Sequence, residues 1–173
     1  MKVLAFAASN STQSINKKFV SHVLTLFNSH DTELIDLNDY ELPLYSIDRE
    51  KSEGIPEAVA QFSNKLDGAD LILIGLAEHN GTYTALFKNL FDWLSRYKLK
   101  MFESKKLLLV STAPGPRGGR GVMDAALSRF PIHGAEILGH FCLPKFQENF
   151  DAENGIINKE LNREFNAVLK SIL

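Results

Sequence analysis

The residues Ser9, Asn10, Ser11, Thr12, Gln13, Ser14, Ile15 and Asn16 crowd hydroxyl and amide side chains into one short stretch. The stretch follows an apolar run, Val3–Ala8, and precedes a segment with helical spacing. A strand that ends in hydroxyls and opens into a helix suits an anion. The first backbone N–H groups of a helix lack partners, its dipole favours negative charge there, and hydroxyls add donors. The same residues serve equally well as an ordinary helix N-cap, for which Ser, Thr and Asn are preferred. A second polar stretch, Ala77-Glu78-His79-Asn80-Gly81-Thr82-Tyr83, follows the apolar run Leu71–Leu76, and its Asn80-Gly81 pair is a strong turn signal. A third, Ser111-Thr112-Ala113-Pro114-Gly115-Pro116-Arg117-Gly118-Gly119, follows Leu107–Val110.

Other chemistries find little support. The histidines and Cys142 show no metal-ligand spacing, and no Gly-x-Ser-x-Gly elbow supplies a serine nucleophile. Gly119-Arg120-Gly121 is only a lone Gly-x-Gly, it follows the fourth apolar run rather than the first, and Asp124 stands at the sixth position, which rejects a classical dinucleotide fingerprint. Arg117 and Arg120 read either as contacts for nicotinamide-cofactor phosphates or as plain surface charge. The single cysteine, Cys142, permits no internal disulfide and fits a reducing compartment. Its apolar surroundings read as a buried, inert thiol.

Five apolar runs have strand length: Val3–Ala8, Glu33–Leu37, Leu71–Leu76, Leu107–Ser111 and Ile137–Leu143. Most are continuous, the pattern of strands covered on both faces. Between and after them run helical stripes, among them Ile15/Phe19/Val23, Val59/Phe62/Leu66, Leu86/Phe87/Leu90/Phe91/Leu94, Val122/Ala125/Ala126 and Phe165/Val168/Leu169. Strand–helix alternation predicts right-handed crossovers and a parallel sheet between two helical layers. The expected fold is a single α/β domain over residues 1–173, a flavodoxin-like three-layer sandwich with five strands in the order 2-1-3-4-5. In that order a ligand sits at the carboxyl ends of the strands, where the loops after strands one, three and four meet. The connections Asn38–Gly54 and Pro144–Asn158 read as long loops. The stripe over Leu86–Tyr97 is too broad for one sheet contact, which predicts a second covering surface on another subunit.

Composition narrows the class of partner. The 173 residues are 45% hydrophobic and 23% charged, with a net charge of -2 and no long run of one sign. That balance speaks against nucleic acid as a partner and falls short of the acidity that steers an electron carrier. No apolar run approaches the ~20 residues that span a membrane, and no separate signal segment is read at the start, so the expectation is a cytoplasmic protein without a membrane partner.

The second stretch, continued through Leu86-Phe87-Lys88-Asn89-Leu90-Phe91-Asp92-Trp93, resembles the Pro-Glu-Tyr-Asn…Leu-Lys-Asn-x-x-Asp-Trp signature of the NAD(P)H-dependent FMN reductase family. Ser9, Ser14 and Asn16 match that family's Gly-Ser-x-Arg-x-x-Ser-x-Asn loop. Ser111–Gly119 is similar to its Ser-Thr-x-x-Gly-x-x-Gly-Gly, and Asp36–Pro43 to its segment after strand two. The resemblance implies FMN as cofactor, with Ser9, Ser11, Ser14, Ile15 and Asn16 at the phosphate. It places Ala77, Glu78, His79, Asn80 and Gly81 along the ring, and Thr112, Gly115, Gly118 and Gly119 at its other edge. Backbone donors there would stabilise the charge of reduced flavin. Ser11 stands where the family usually has Arg, and Ala77 and His79 stand in place of Pro and Tyr. His79 reads as a donor to the flavin edge or a substrate, or as a solvent-exposed turn residue.

The implied activity is hydride transfer from NADPH or NADH to bound flavin and on to a quinone, flavin, azo or metal-oxyanion acceptor. No catalytic side chain is required, since the cofactor carries the chemistry. The resemblance also implies a homodimer or homotetramer. Two alternatives stand beside it: an electron carrier of flavodoxin type, and a family member that serves as a scaffold without FMN.

Overall fold

The computed structural model describes residues 1–170 and 172–173. The chain opens with β1 (Lys2–Ala8), α1 (Ile15–Thr25) and β2 (Asp31–Leu34), then a 3-10 turn (Leu37–Asp39), α2 (Ile47–Glu53) and α3 (Glu57–Asp67). The middle holds β3 (Leu71–Leu76), the short strands β4 (Glu78–His79) and β5 (Thr82–Tyr83), then α4 (Ala85–Tyr97) and β6 (Lys105–Thr112). Next come α5 (Arg120–Arg129), a 3-10 turn (Phe130–His133) and β7 (Ala135–Leu143). The chain ends with α6 (Phe146–Asn149), β8 (Phe150–Asp151), β9 (Gly155–Ile156) and α7 (Lys159–Leu169).

Strands β2-β1-β3-β6-β7 form one sheet whose pairs are all parallel. With the two hairpins set aside, this is the expected 2-1-3-4-5 order of a flavodoxin-like sandwich. The continuous apolar runs are explained by burial on both faces. Phe6, Phe62, Phe87, Trp93 and Phe130 belong to the core under α3, α4 and α5. Phe19, Phe27, Phe141 and Phe165 belong to the core under α1 and α7. At Gly75 a β-carbon would stand 2.3 Å from Val20 Cγ2, so glycine lets α1 lie close on β3 and sets where its N-terminus emerges.

Three expectations change. The second strand ends at Leu34, before the expected Leu37, because Asp36 Oδ1 accepts the Asn38 N–H and turns the chain into the 3-10 segment. The Pro144–Asn158 connection is folded, since Phe146 and Phe150 stack at 4.7 Å and Ile156 is buried beside them in the second core. The breadth of α4 is largely answered within the chain. The segment before α2 lies over it: Trp93 Nε1 donates to Pro43 O (2.8 Å), and Asn89 both donates to Pro43 O (3.1 Å) and accepts the Tyr45 N–H (2.8 Å).

Candidate functional site

The carboxyl ends of β1, β3 and β6 bring the three polar stretches together around a cleft of about 240 Å³. The first loop organises itself with its own oxygens. Ser9 Oγ accepts the Ser11 N–H (3.2 Å), Ser11 Oγ accepts the Gln13 N–H (3.3 Å), and Ser14 Oγ caps α1 by accepting the Lys17 N–H (3.2 Å). Each hydroxyl acts here as acceptor and keeps its O–H to donate elsewhere. Among the described residues, the N–H groups of Ile15 and Asn16 at the start of α1 have no acceptor. The cap and the anion site are therefore one arrangement: the cap shapes the turn, and the donors it leaves free face the cleft.

Asn16 has a second task. Its Nδ2 donates to Thr112 O (3.0 Å) and its Oδ1 accepts the Thr112 N–H (2.9 Å), in a buried two-point clamp between α1 and the end of β6. Its side-chain amide is committed to the fold, and its backbone N–H is what remains for a ligand.

The second loop is a miniature hairpin. Asn80 and Gly81 have φ of 50° and 79°, the paired positive values of a type I′ turn, and β4 and β5 flank them in antiparallel register. Thr84 anchors its end by donating to Ala8 O (3.0 Å) while capping α4 at the Phe87 N–H (3.2 Å). The Glu78 side chain turns away from the cleft. Its Oε2 accepts the Val122 N–H (2.8 Å) and so caps α5, whose own N-cap, Gly119, has no side chain to offer. A β-carbon on Gly121 would stand 2.7 Å from Gly81 O and 2.8 Å from Glu78 Oε2, so this glycine lets the hairpin seat on α5.

The third loop is bound into the fold. Thr112 Oγ1 donates to Leu143 O (2.8 Å), and Ser111 Oγ donates to Gly118 O (2.8 Å). Gly118 (φ 58°) and Gly119 (φ 85°) are buried in the left-handed region. A β-carbon on Gly118 would meet Leu143 C and O at 2.8 Å. Gly115 O accepts the Lys145 N–H (3.0 Å).

The structure thus gathers most of the expected residues. Ser9, Ser11, Ser14, Ile15 and Asn16 line the cleft from one side, Ala77, Glu78 and His79 from the second, and Thr112 from the third. Asn80 and Gly81 form the exposed hairpin tip, while Gly115, Gly118 and Gly119 lie outside the lining. Gln13, Ala113 and Pro114 also line the cleft and were not anticipated. Ala113-Pro114 leaves β6 much as Ala77-Glu78 leaves β3, which is the signal that could have found them. Gly121 left no such signal, because its role depends on a carbonyl forty residues earlier in the chain.

The electrostatics follow from these commitments. Lys17 is the nearest cation to stand in for the missing arginine, but its ammonium is paired with Asp36. That hydrogen bond, helped by the Asn38 N–H, holds the Asp36 carboxyl below the usual range. Arg120 pairs with Asp124 (2.8 Å) and Asp92 with Lys88 (2.7 Å), both on exposed helix faces. Burial pushes the Cys142 thiol up, which fits an inert side chain. Among the described residues no cluster of three or more His, Cys, Asp or Glu could hold a metal ion. No helix among them is long and apolar enough to cross a membrane.

The lining suits a phosphate monoester attached to a flat polar ring. Donors converge at the start of α1, and the cleft's one carboxylate is turned into α5. Comparison with known proteins agrees. The family model described as NADPH-dependent FMN reductase matches residues 1–148. An NADPH:quinone oxidoreductase of Arabidopsis thaliana is 31% identical over 147 residues, covering 81% of this chain and 71% of that protein. An uncharacterised Mycoplasma pneumoniae protein is 30% identical over 155 residues, covering 87% of this chain and 91% of its own. Among solved structures, FerB, a flavoenzyme NAD(P)H:(acceptor) oxidoreductase from Paracoccus denitrificans, superposes with a TM-score of 0.74 at 22% identity. That superposition covers 99% of this chain and 96% of that one, a likeness of fold.

Proposed function

Since the chain belongs to the NADPH-dependent FMN reductase family, we propose that it is an FMN-dependent oxidoreductase that passes hydride from NADPH or NADH to a quinone, flavin, azo or metal-oxyanion acceptor. The bound FMN supplies the hydride-accepting and hydride-donating chemistry. The residues of this chain bind and orient. The Ile15 and Asn16 N–H groups and the hydroxyls of Ser9, Ser11 and Ser14 would hold the phosphate. The backbone of Ala77–His79 and of Thr112–Pro114 would line the ring, with Asn80 and Gly81 shaping the turn behind it. Gly115, Gly118 and Gly119 would act one layer back, by letting the third loop fold tightly against β7.

The observation that carries this reading is the free donor set at the start of α1, inside a cleft whose walls are pinned to one another by Asn16–Thr112 and Glu78–Val122. Backbone donors aimed at a developing negative charge stabilise it without reorganising. We further propose a homodimer or homotetramer, using the exposed Tyr97, Leu99 and Ile132, and a cytoplasmic location in keeping with the one unpaired thiol.

Anaerobic addition of NADPH or NADH to the FMN-loaded protein tests the reading. Flavin absorbance should bleach at the expense of the nicotinamide and return when a quinone is added. Flavin that stays oxidised until a separate reductase is supplied would mean an electron carrier instead. Protein that takes up no FMN at all would mean a scaffold.

A further inference from the structure

A larger groove, of about 470 Å³, runs along the opposite side of α1 from the flavin cleft and shares Ser14 with it. Its floor is the outer face of α1 from Ser14 to Thr25, about 16 Å at the rise of an α-helix. Its far wall is the β8–β9 hairpin, with Phe150 and Ala152 facing in. The wall is firmly set. Phe150 stacks on Phe146 and meets Phe19 edge-on at 5.8 Å. The His22 ring lies so close to Gly155 that a β-carbon there would stand 2.1 Å from Nε2.

The chemistry of the groove is one-sided. Lys17 and Lys18 line it together with Thr12 and Ser21, and no carboxylate does. Lys17 is held by Asp36, whereas Lys18 has no carboxylate partner among the described residues. The nearest acid in the wall, Asp151, is turned into its own turn. It accepts the N–H groups of Glu153 (3.0 Å) and Asn154 (2.8 Å), together with the Asn154 side chain (2.7 Å). Burial lowers the His22 pKa, so at neutral pH His22 offers a ring rather than a charge. A free ammonium and hydroxyls near one end, with aromatic surface on the facing wall, match a phosphorylated nucleoside: phosphate at the polar end, base against Phe150 and His22.

We propose that this groove receives the adenosine 2′-phosphate end of NADPH, with Lys18 and Thr12 meeting the phosphate and Phe150 the base. The proposal rests on the reductase reading and adds to it a source of preference for NADPH over NADH. The shared Ser14 makes it spatially coherent: a dinucleotide whose nicotinamide lies in the flavin cleft can cross the first loop and enter the groove there.

The test uses 2′,5′-ADP and 5′-AMP as separate probes, titrated calorimetrically into the purified, FMN-loaded protein. The expected result is 2′,5′-ADP binding at least tenfold tighter than 5′-AMP. Lys18→Glu should erase that difference, and so should Ala152→Trp, which fills the groove from the hairpin side. Both variants should retain FMN, and NADH should still reduce it, while the KM for NADPH rises about tenfold. Equal binding of the two probes, or selectivity unchanged in both variants, overturns the proposal. So does binding of inorganic phosphate as tight as that of 2′,5′-ADP, since that marks a bare phosphate site. Failure of the wild-type protein to take up FMN or to oxidise either nicotinamide would instead remove the reductase reading, an outcome the probe titration does not share.

Discussion

The loops after β1 and β6 leave the same edge of the sheet and border the same cleft, yet they use their polar atoms in opposite ways. In the first loop, side-chain oxygens of Ser9, Ser11 and Ser14 accept from the loop's own backbone, and donors remain over. In the third, the hydroxyls of Ser111 and Thr112 donate to main-chain carbonyls inside the protein, and two glycines are packed where no side chain fits. One loop holds a ligand and the other holds the loop that does so. Asn16 joins the two tasks in one residue, its side chain serving the fold and its backbone the cleft. A motif of Ser, Gly and Asn around a cofactor is thus a mixture of contacts and supports, and hydrogen-bond direction separates them.

Substitutions that hit one task and spare the other sharpen this contrast. Gly118→Ala should produce the largest effect. It forces a side chain onto a positive φ and into the Leu143 backbone, at roughly 3 kcal/mol of stability. Thermal unfolding of the FMN-free protein should then fall by about 10 °C. A variant that keeps its melting temperature and loses only FMN would reverse the assignment of the third loop. Asn16→Ala comes next, with about 2 kcal/mol of stability lost as the Thr112 N–H and C=O lose their partner. Its FMN affinity should drop as well, because the loops are no longer clamped; urea unfolding and flavin fluorescence titration read the two effects separately.

Ser11→Arg should act on the ligand alone. A charge-assisted bond to phosphate tightens FMN binding about tenfold, with no change in the stability of the FMN-free protein. Weaker binding would place Ser11 away from the phosphate.

Tyr83 supplies the smallest effect and a control, being a buried hydroxyl with neither task. Its oxygen has no partner in the protein, and burial pushes its pKa up to about 12. The raised value means the neutral form is favoured in the folded chain. The contribution is complete below pH 10, where the unfolded tyrosine is also neutral, and is lost as pH rises through 12. Tyr83→Phe should leave stability at neutral pH within about 1 kcal/mol, since no hydrogen bond is lost. It should also make the alkaline fall in melting temperature shallower, as a pH series of melts would show.

The sheet was legible because its strands are buried on both faces, and burial writes itself as unbroken apolar runs such as Leu71–Leu76. Edge strand β2 was misplaced because it is half exposed and ends on a side-chain hydrogen bond from Asp36, which periodicity does not register. The hairpin at Asn80-Gly81 was legible from turn chemistry alone. Residue types around the cleft were legible too, but their division into contacts and supports was not. Whether Glu78 faces the cleft or caps α5 is decided by a long-range partner, Val122, and local sequence carries no record of it. The Pro144–Asn158 hairpin was hidden for the same reason, its Phe146 and Phe150 being held by the distant Phe19 and by each other.

The division of labour between the loops is tested most directly by an FMN titration of the isotopically labelled FMN-free protein, followed through its backbone amide resonances. The largest shifts should fall on Ile15 and Asn16, with smaller ones at Ala77–His79 and Ala113, while Gly118 and Gly119 stay nearly still. Shifts centred on Gly118 and Gly119 with Ile15 and Asn16 unmoved, or no shifts at all, would contradict the account.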